Sequence, residues 1–177
     1  MSSVTVIGID PGSTCTGWGI VRESGGVLDL LGYGAIRTKG NEFSDRIGDI
    51  FLRLSEILEQ FQPDEAAIED VFSGKSAASA LKLGQARGAA VAACAGHRLP
   101  VFNYPPTQVK QALVGVGRAE KSQVSFMVGR LLNKTPDWPV DTGDALAVAI
   151  CHLNMRRFAK LTAKAGQEFL AGERILR

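Results

Sequence analysis

Residues 4–23 have the sequence VTVIGIDPGSTCTGWGIVRE, and this stretch decides the fold. VTVIGID is a short β-branched run that ends in Asp-Pro-Gly at residues 10–12, which predicts a strand followed by a turn. A second strand, TGWGIVRE, follows, and a third, VLDLLGYGAIRT, comes after the Ser-Gly-Gly turn at 24–26. Strands joined by so short a turn are antiparallel neighbours. The chain is therefore predicted to open with three antiparallel strands.

The rest of the chain is predicted to add two strands and several helices. Apolar residues recur three and four apart from Phe43 to Phe61, which is typical of an amphipathic helix, and Pro63 ends it. EAAIEDVF (65–72), an alanine-rich helix (76–97) and LPVFNYP (99–105) form a strand, helix, strand order that predicts a parallel crossover. Further helices are predicted at 107–114, at about 119–133 and from Asp141 to about Phe158.

Length and composition predict one soluble globular domain. The chain has 177 residues, 45% of them hydrophobic and 21% charged, and no apolar run approaches about 18 residues, so a transmembrane, disordered or collagen-like chain is excluded. We expect one α/β domain over residues 1–158, with helices on both faces of a mixed sheet, and a basic, partly disordered tail over 159–177. The N-terminus lacks the features of a signal peptide, so a cytoplasmic location is expected.

The cysteines and histidines do not indicate a metal site of their own. Cys15, Cys94 and Cys151 are an odd number and lie far apart, which fits neither a disulfide framework nor the close pairs of a zinc site. We expect them to be reduced and mostly buried. The two histidines, His97 and His152, are too few for a histidine-rich site. Metal chemistry in this chain would need carboxylates.

Charge is distributed in blocks of opposite sign. The net charge of +2 conceals −7 over residues 1–72, +7 over 73–130, −2 over 131–152 and +4 over 153–177. The block 73–130 contains eight basic side chains and a single acid, Glu120. Such a block is equally consistent with a solvated charged face and with a surface that contacts phosphates.

Four acidic residues lie at the ends of predicted elements. Asp10 ends the first strand, Glu69 lies near the end of the fourth, and Asp141 and Asp144 share one face at the start of the last helix. If the first and fourth strands are adjacent, the four carboxylates come within a few ångströms and repel one another unless cations compensate them. Magnesium fits such oxygen ligands, and two ions about 4 Å apart would support phosphodiester hydrolysis. Taken singly, Asp10 could be a turn residue and Asp141 a helix N-cap.

Five blocks of the sequence resemble the bacterial RuvC family of Holliday-junction resolvases. They occur in order between about residues 4 and 153, and they are GIDPGSTCTGWGIV, AIEDVF, SALKLGQARG, QVKQALVGVGRAEKSQV and DTGDALAVAICH. The resemblance implies a ribonuclease-H-like fold, a homodimer and a magnesium-dependent endonuclease. Such an enzyme nicks two opposing strands of a four-way DNA junction in recombination and repair, leaving 5′-phosphate and 3′-hydroxyl ends.

The resemblance also implies roles for individual residues. Asp10, Glu69, Asp141 and Asp144 match the four acids that hold two Mg²⁺ ions, for which Mn²⁺ can substitute. Lys121 matches a basic residue implicated in both DNA binding and catalysis, and it is expected to be catalytic. The expected DNA-binding residues are Phe72, Lys75, Lys82, Arg87, Lys110, Arg118 and Lys121. The RuvA–RuvB branch-migration complex is the expected protein partner, and the alanine-rich helix 76–97 is expected to contribute to the homodimer, although a core helix is an equal alternative.

Two departures and two rival classes qualify the resemblance. Trp18 stands where many members have Tyr, and Ser76 stands where Asn is common, which puts in doubt an amide contact made by the loop after Phe72. DPGSTCTG at 10–17 is also similar to the phosphate-binding turn of actin-like and sugar-kinase ATPases, but 177 residues leave no room for the second domain that those proteins need. A DNA-binding module without catalysis would leave the four acids unexplained.

Overall fold

A single five-stranded sheet forms the centre of the protein. The computed structural model describes residues 3–40, 42–70 and 76–173, with side chains up to residue 163. The strands lie in the order β3-β2-β1-β4-β5, and their bounds are β1 Val4–Asp10, β2 Cys15–Ser24, β3 Val27–Arg37, β4 Glu65–Glu69 and β5 Val101–Tyr104. The first three strands are antiparallel, whereas β4 pairs parallel to both β1 and β5. The predicted mixed sheet is confirmed.

Helices cover both faces of this sheet. Their bounds are α1 Phe43–Phe61, α2 Ala77–Gly96, α3 Pro106–Val114, α4 Lys121–Leu132 and α5 Val140–Glu173. On one face α1 and α2 enclose a core with Ile7, Ile9 and Ile68, and on the other α3, α4 and α5 pack over Val6, Val21 and Ala67. Because side chains alternate along a strand, successive residues of β1 serve different cores. A short strand is thereby buried on both faces.

Two predicted boundaries are wrong. The last helix was expected to end near Phe158, but α5 extends to Glu173. Residues 159–173 contain no proline and include four alanines, which favour a continuing helix, and the two glycines at 166 and 172 do not interrupt it. The fourth strand was expected over 65–72, but β4 ends at Glu69, and residues 71–75 lie outside the described part of the chain.

Glycines in β1 and β2 allow α5 to lie directly on the sheet. A Cβ atom at Gly8 would overlap the carbonyl oxygen of Ala145 and approach the amide nitrogen of Ala149 to 2.8 Å. At Gly17 a Cβ would overlap the carbonyl oxygen of Asp141. The absence of side chains at both positions is therefore required for the close approach that sets the height of α5 above the sheet.

Thr142 fixes the start of α5 in a second way. Its buried hydroxyl donates a 2.9 Å hydrogen bond to the carbonyl oxygen of Gly34 on β3. Within the described ranges, no helix has the length and apolar character needed to cross a membrane.

Candidate active site

Asp10 and Glu69 leave two adjacent strands at the same edge of the sheet. Ile9 of β1 lies opposite Ile68 of β4 in a parallel register, so the next residue of each strand is one of the two acids. The turn that follows Asp10 is closed by Thr16, whose hydroxyl donates to the carbonyl oxygen of Gly12 at 3.0 Å. The adjacency on which the predicted acidic site depended is confirmed.

The Asp10 and Glu69 carboxyl groups are half-buried neighbours at the ends of β1 and β4, and each affects the pKa of the other. Burial, followed by the negative charges of Glu69 and Asp144, raises the pKa of Asp10 to about 8. Burial and the charge of Asp144 also raise the pKa of Glu69. Two half-buried acids held this close form a site that favours added positive charge.

Asp141 and Asp144 enter the site from the first turn of α5. The backbone of Asp141 packs directly against Gly17 of β2. Gly17 is the residue that pairs with Asp10 of β1 in the antiparallel register, so Asp141 begins beside Asp10. The charges of both residues contribute to the raised pKa of Asp10. Burial, followed by the neighbouring Asp141 side chain, raises the pKa of the Cys15 thiol to about 11.

Lys121 lies directly beside this acidic group. Its ammonium lies 2.7 Å from an oxygen of Asp144, and this hydrogen bond raises the pKa of Lys121 above its usual value. A reciprocal capping box between Glu120 and Gln123 fixes the start of α4 and therefore the position of Lys121. Glu69, Asp144, Lys121 and Lys110 all line one cavity of about 180 Å³.

The described residues do not form a closed metal-binding cluster. Within residues 3–40, 42–70 and 76–173, no three carboxylate, histidine or cysteine side chains converge as a ready-made ligand set. The four acids are nevertheless near neighbours, because the charges of Glu69, Asp144 and Asp141 all raise the pKa of Asp10.

The donor chemistry of the site nevertheless fits a hard divalent cation. All four acids offer carboxylate oxygens, which Mg²⁺ and Mn²⁺ prefer to nitrogen or sulfur ligands. Ligands must be deprotonated to bind metal, so a cation would compete with the proton that the raised pKa of Asp10 favours. The ammonium of Lys121 beside Asp144 can likewise be exchanged for such a cation.

The expected DNA-binding residues occupy different environments. Lys82 and Arg118 are exposed, Lys110 is half-buried beside Glu69, and the Lys121 side chain is 70% exposed. Arg87 is instead bound internally to Asp70 and Asn103. The predictions for Phe72 and Lys75 concern residues outside the described part of the chain.

Sequence reasoning missed several residues that shape the site. The contact of Cys15 with Asp141 was not predicted, although Cys15 opens β2 directly after the turn that follows Asp10. The close packing of α5 on Gly8 and Gly17 was also not predicted, nor was the hydrogen bond from Thr142 to the carbonyl oxygen of Gly34. No local pattern marks such contacts, because each depends on where α5 crosses the sheet.

The fold and the acids together define a ribonuclease-H-like nuclease. The family model described as "Crossover junction endodeoxyribonuclease RuvC" matches residues 6–152. A curated protein of that name from Oleidesulfovibrio alaskensis is 66% identical over 160 residues, covering 90% of this chain and 96% of the relative. One from Nitratidesulfovibrio vulgaris strain Hildenborough is 60% identical over 164 residues, covering 93% and 99%.

The chain belongs to the RuvC family of crossover junction endodeoxyribonucleases. Among solved structures it is similar to Thermus thermophilus RuvC in complex with a Holliday junction substrate, with a TM-score of 0.82 and 37% identity, covering 88% of this chain and 96% of that one. The yeast mitochondrial Holliday junction resolvase Ydc2 shares the fold, with a TM-score of 0.65 at 13% identity. Dependence on a divalent metal follows from membership of this nuclease family.

Proposed function

We propose that this protein resolves four-way DNA junctions by nicking two opposing strands, leaving 5′-phosphate and 3′-hydroxyl ends. The process it serves is homologous recombination and DNA repair. The observation that carries the proposal is the pair of adjacent, half-buried carboxylates, Asp10 and Glu69, at the ends of β1 and β4 beside the acidic first turn of α5. A purely DNA-binding module has no use for half-buried carboxylates that repel one another and the phosphates of its ligand.

Asp10, Glu69, Asp141 and Asp144 are the proposed metal-binding and catalytic carboxylates. We propose that they hold two Mg²⁺ ions, and that Mn²⁺ can replace them. Metal bound here would supply a nucleophilic water at neutral pH and charge stabilisation at the leaving oxygen. The protein itself holds these acids rigidly. Asp10 and Glu69 end two hydrogen-bonded strands, and Asp141 and Asp144 lie in the first turn of α5, which packs against glycines of the sheet.

Lys121 is the proposed catalytic cation. Its side chain is mostly exposed and ends beside Asp144, so rotation about its flexible stem can bring the ammonium to an incoming phosphate. The raised pKa keeps that ammonium protonated throughout the neutral range. Lys110, in the same cavity, is the proposed second phosphate contact.

The proposed DNA-binding surface draws on the basic block of the sequence over residues 73–130. It comprises Lys82, Lys110, Arg118 and Lys121, together with Phe72 and Lys75. Phosphate contacts by lysine and arginine supply affinity that does not depend on sequence. Phe72 is proposed to stack on an unpaired base at the crossover, an interaction worth about 1–3 kcal/mol. Arg87 was also expected to bind DNA, and its guanidinium is bound to Asp70 and Asn103 in this structure, so a phosphate contact would require it to leave them.

A two-fold symmetric junction calls for two active sites related by a two-fold axis. We propose that the protein acts as a homodimer and that the outer face of α2 contributes to its interface. That face exposes Leu81 to 65%, and Gly84 and Gly88 have open space around them, which permits close helix approach.

The RuvA–RuvB branch-migration complex is the proposed protein partner, and the cytoplasm, where bacterial chromosomal DNA lies, is the proposed location. Residues 1–158 are the proposed nuclease domain, with 159–177 as a basic tail.

The decisive experiment is metal-dependent nicking of a synthetic four-way junction, measured beside a gel shift. Asp10→Asn and Glu69→Gln should reduce nicking at least about 1,000-fold, because metal positioning is lost, while junction binding stays within about two-fold. Glu56→Gln is the matched control, because Glu56 is an exposed carboxylate on α1. Calcium should support binding with little turnover. Undiminished nicking by either active-site variant would refute the proposed metal site.

A further inference from the structure

Arg87 joins three elements behind the proposed active site. One terminal nitrogen of its guanidinium donates a 2.9 Å hydrogen bond to the Asp70 carboxylate and a 2.6 Å hydrogen bond to the side-chain oxygen of Asn103. Arg87 lies on α2, Asp70 directly follows β4, and Asn103 lies within β5. One side chain thus links the helix to two parallel strands close to their carboxyl ends.

The contact has the features of a rigid clamp. The Arg87 side chain is only 25% exposed, and α2 is anchored by the fully buried Ala86 and Ala90, which pack in the same core as Ile68 of β4. Isolated exposed ion pairs contribute little, but a half-buried arginine with two acceptors loses less entropy per hydrogen bond. The guanidinium is therefore held in place by its own helix.

The clamp acts one residue away from Glu69. The amide of Asp70 donates to the carbonyl oxygen of Tyr104 at 2.9 Å, so backbone pairing continues one residue beyond β4. Since side chains alternate along a strand, Glu69 faces α5 and Asp10 while Asp70 faces α2. A shift or rotation of Asp70 must turn Glu69 as well.

We propose that Arg87 is a positioning residue that fixes the orientation of the Glu69 carboxylate through Asp70 and Asn103. This proposal rests on the proposed function of Glu69 as a metal ligand. Partners that orient metal ligands typically contribute 10- to 100-fold to metal affinity or activity. Loss of the clamp should therefore weaken metal binding, although the fold, held by the alanine packing of α2, persists.

The sign of the effect on metal affinity separates positioning from simple electrostatics. Removing a positive charge near a cation site raises the affinity for the cation if charge alone matters. A positioning role predicts the opposite change, a fall in affinity. Asn103→Ala removes one of the two acceptors with no change in charge, so it tests the same geometry independently.

The test measures Mn²⁺ affinity of the DNA-free protein by electron paramagnetic resonance, together with junction binding in calcium, turnover and melting temperature. Arg87→Gln should weaken Mn²⁺ binding about 10- to 100-fold and lower kcat to a similar extent, with KM for the junction within about two-fold. Asn103→Ala should show a smaller loss in the same direction, and Arg87→Lys should restore part of the affinity. Arg22→Gln is the matched control, because Arg22 forms a 3.0 Å ion pair with Asp29 at a distant surface.

Several results would overturn the proposal. Unchanged or tighter Mn²⁺ binding by folded Arg87→Gln would exclude positioning. Weaker junction binding, with a salt dependence shallower by about one charge and unchanged Mn²⁺ affinity, would make Arg87 a phosphate contact instead. If Arg87→Gln does not fold, unchanged Mn²⁺ affinity in Asn103→Ala decides against the proposal. Because Mn²⁺ is measured without DNA, failure of the wild-type protein to cut junctions would refute the proposed function separately.

Discussion

Replacing Gly8 by alanine should push α5 away from the sheet and so displace the acids that α5 contributes to the active site. The added Cβ would lie 2.8 Å from the amide nitrogen of Ala149 and 2.9 Å from its Cβ, and nearer still to the carbonyl oxygen of Ala145. Ordinary van der Waals contact begins at 3.4 Å, so the backbone of α5 must retreat by at least 0.6 Å. Catalytic groups tolerate displacements of only about 0.5 Å. Asp141 and Asp144 would therefore leave their productive positions.

The expected size of this effect follows from two general magnitudes. Overpacking a well-packed contact costs about 1–3 kcal/mol, which in a chain of this length lowers the melting temperature by about 2–12 °C. A displacement approaching 1 Å can reduce turnover on the order of 100-fold. We expect Gly8→Ala to show both changes when melting is followed by circular dichroism and junction nicking is assayed well below the melting temperature.

Two further glycine variants separate displacement from general loss of stability. A Cβ at Gly19 would meet side-chain atoms of Leu146, so Gly19→Ala should destabilise the protein yet leave nicking within a few-fold of wild type. Gly48 in α1 has no atoms within 4 Å of such a Cβ, and Gly48→Ala should stabilise the protein by about 0.5–1 kcal/mol. If Gly8→Ala has the nicking rate and melting temperature of the wild type, the close packing of α5 on Gly8 does not position the active site.

Three more outcomes are expected. Burial raises the pKa of Cys94 and of Cys151 to about 12, so about one thiol in a thousand is ionised at pH 9 in the folded state. Both thiols should therefore resist alkylation by iodoacetamide until the protein is denatured. Rapid labelling of the native protein would contradict their burial. Leu81→Glu should convert the proposed dimer to a monomer in sedimentation equilibrium without lowering the melting temperature, and a dimer that survives would place the interface elsewhere. Phe72→Ala should bind junctions normally but cut them poorly, with recovery on junctions that already have unpaired bases at the crossover; equal impairment on both substrates would exclude stacking.

Most elements could be predicted because their boundaries are marked locally. The apolar spacing from Phe43 and the break at Pro63 indicated α1, and its observed bounds agree. The Asp-Pro-Gly turn likewise marked the end of β1. The end of α5 could not be predicted in the same way, because residues 159–173 carry no proline, and the helix continues through the glycine at 166.

The acids could be predicted as candidates, but their partners could not. Asp10 and Glu69 are 59 residues apart in the chain, and only the pairing of β1 with β4 brings them together. The attraction of Lys121 to Asp144 joins residues 23 apart, and Arg87 reaches Asp70 from another element. Periodicity and turn chemistry describe near neighbours, whereas these contacts depend on the topology of the whole sheet.

The distribution of the four acids along the chain has a consequence during protein synthesis. Asp10 emerges from the ribosome early, whereas α5, which contributes Asp141 and Asp144, comes 131 residues after it. At about 5–20 residues per second, that interval lasts roughly 7–26 s. A nascent chain, or one released by premature termination before α5, contains Asp10 and Glu69 but lacks the two acids of α5. It also lacks the helix that packs on Gly8 and Gly17. If the four acids are the catalytic ligands we propose, an incomplete product of translation lacks two of them and should not cut chromosomal DNA.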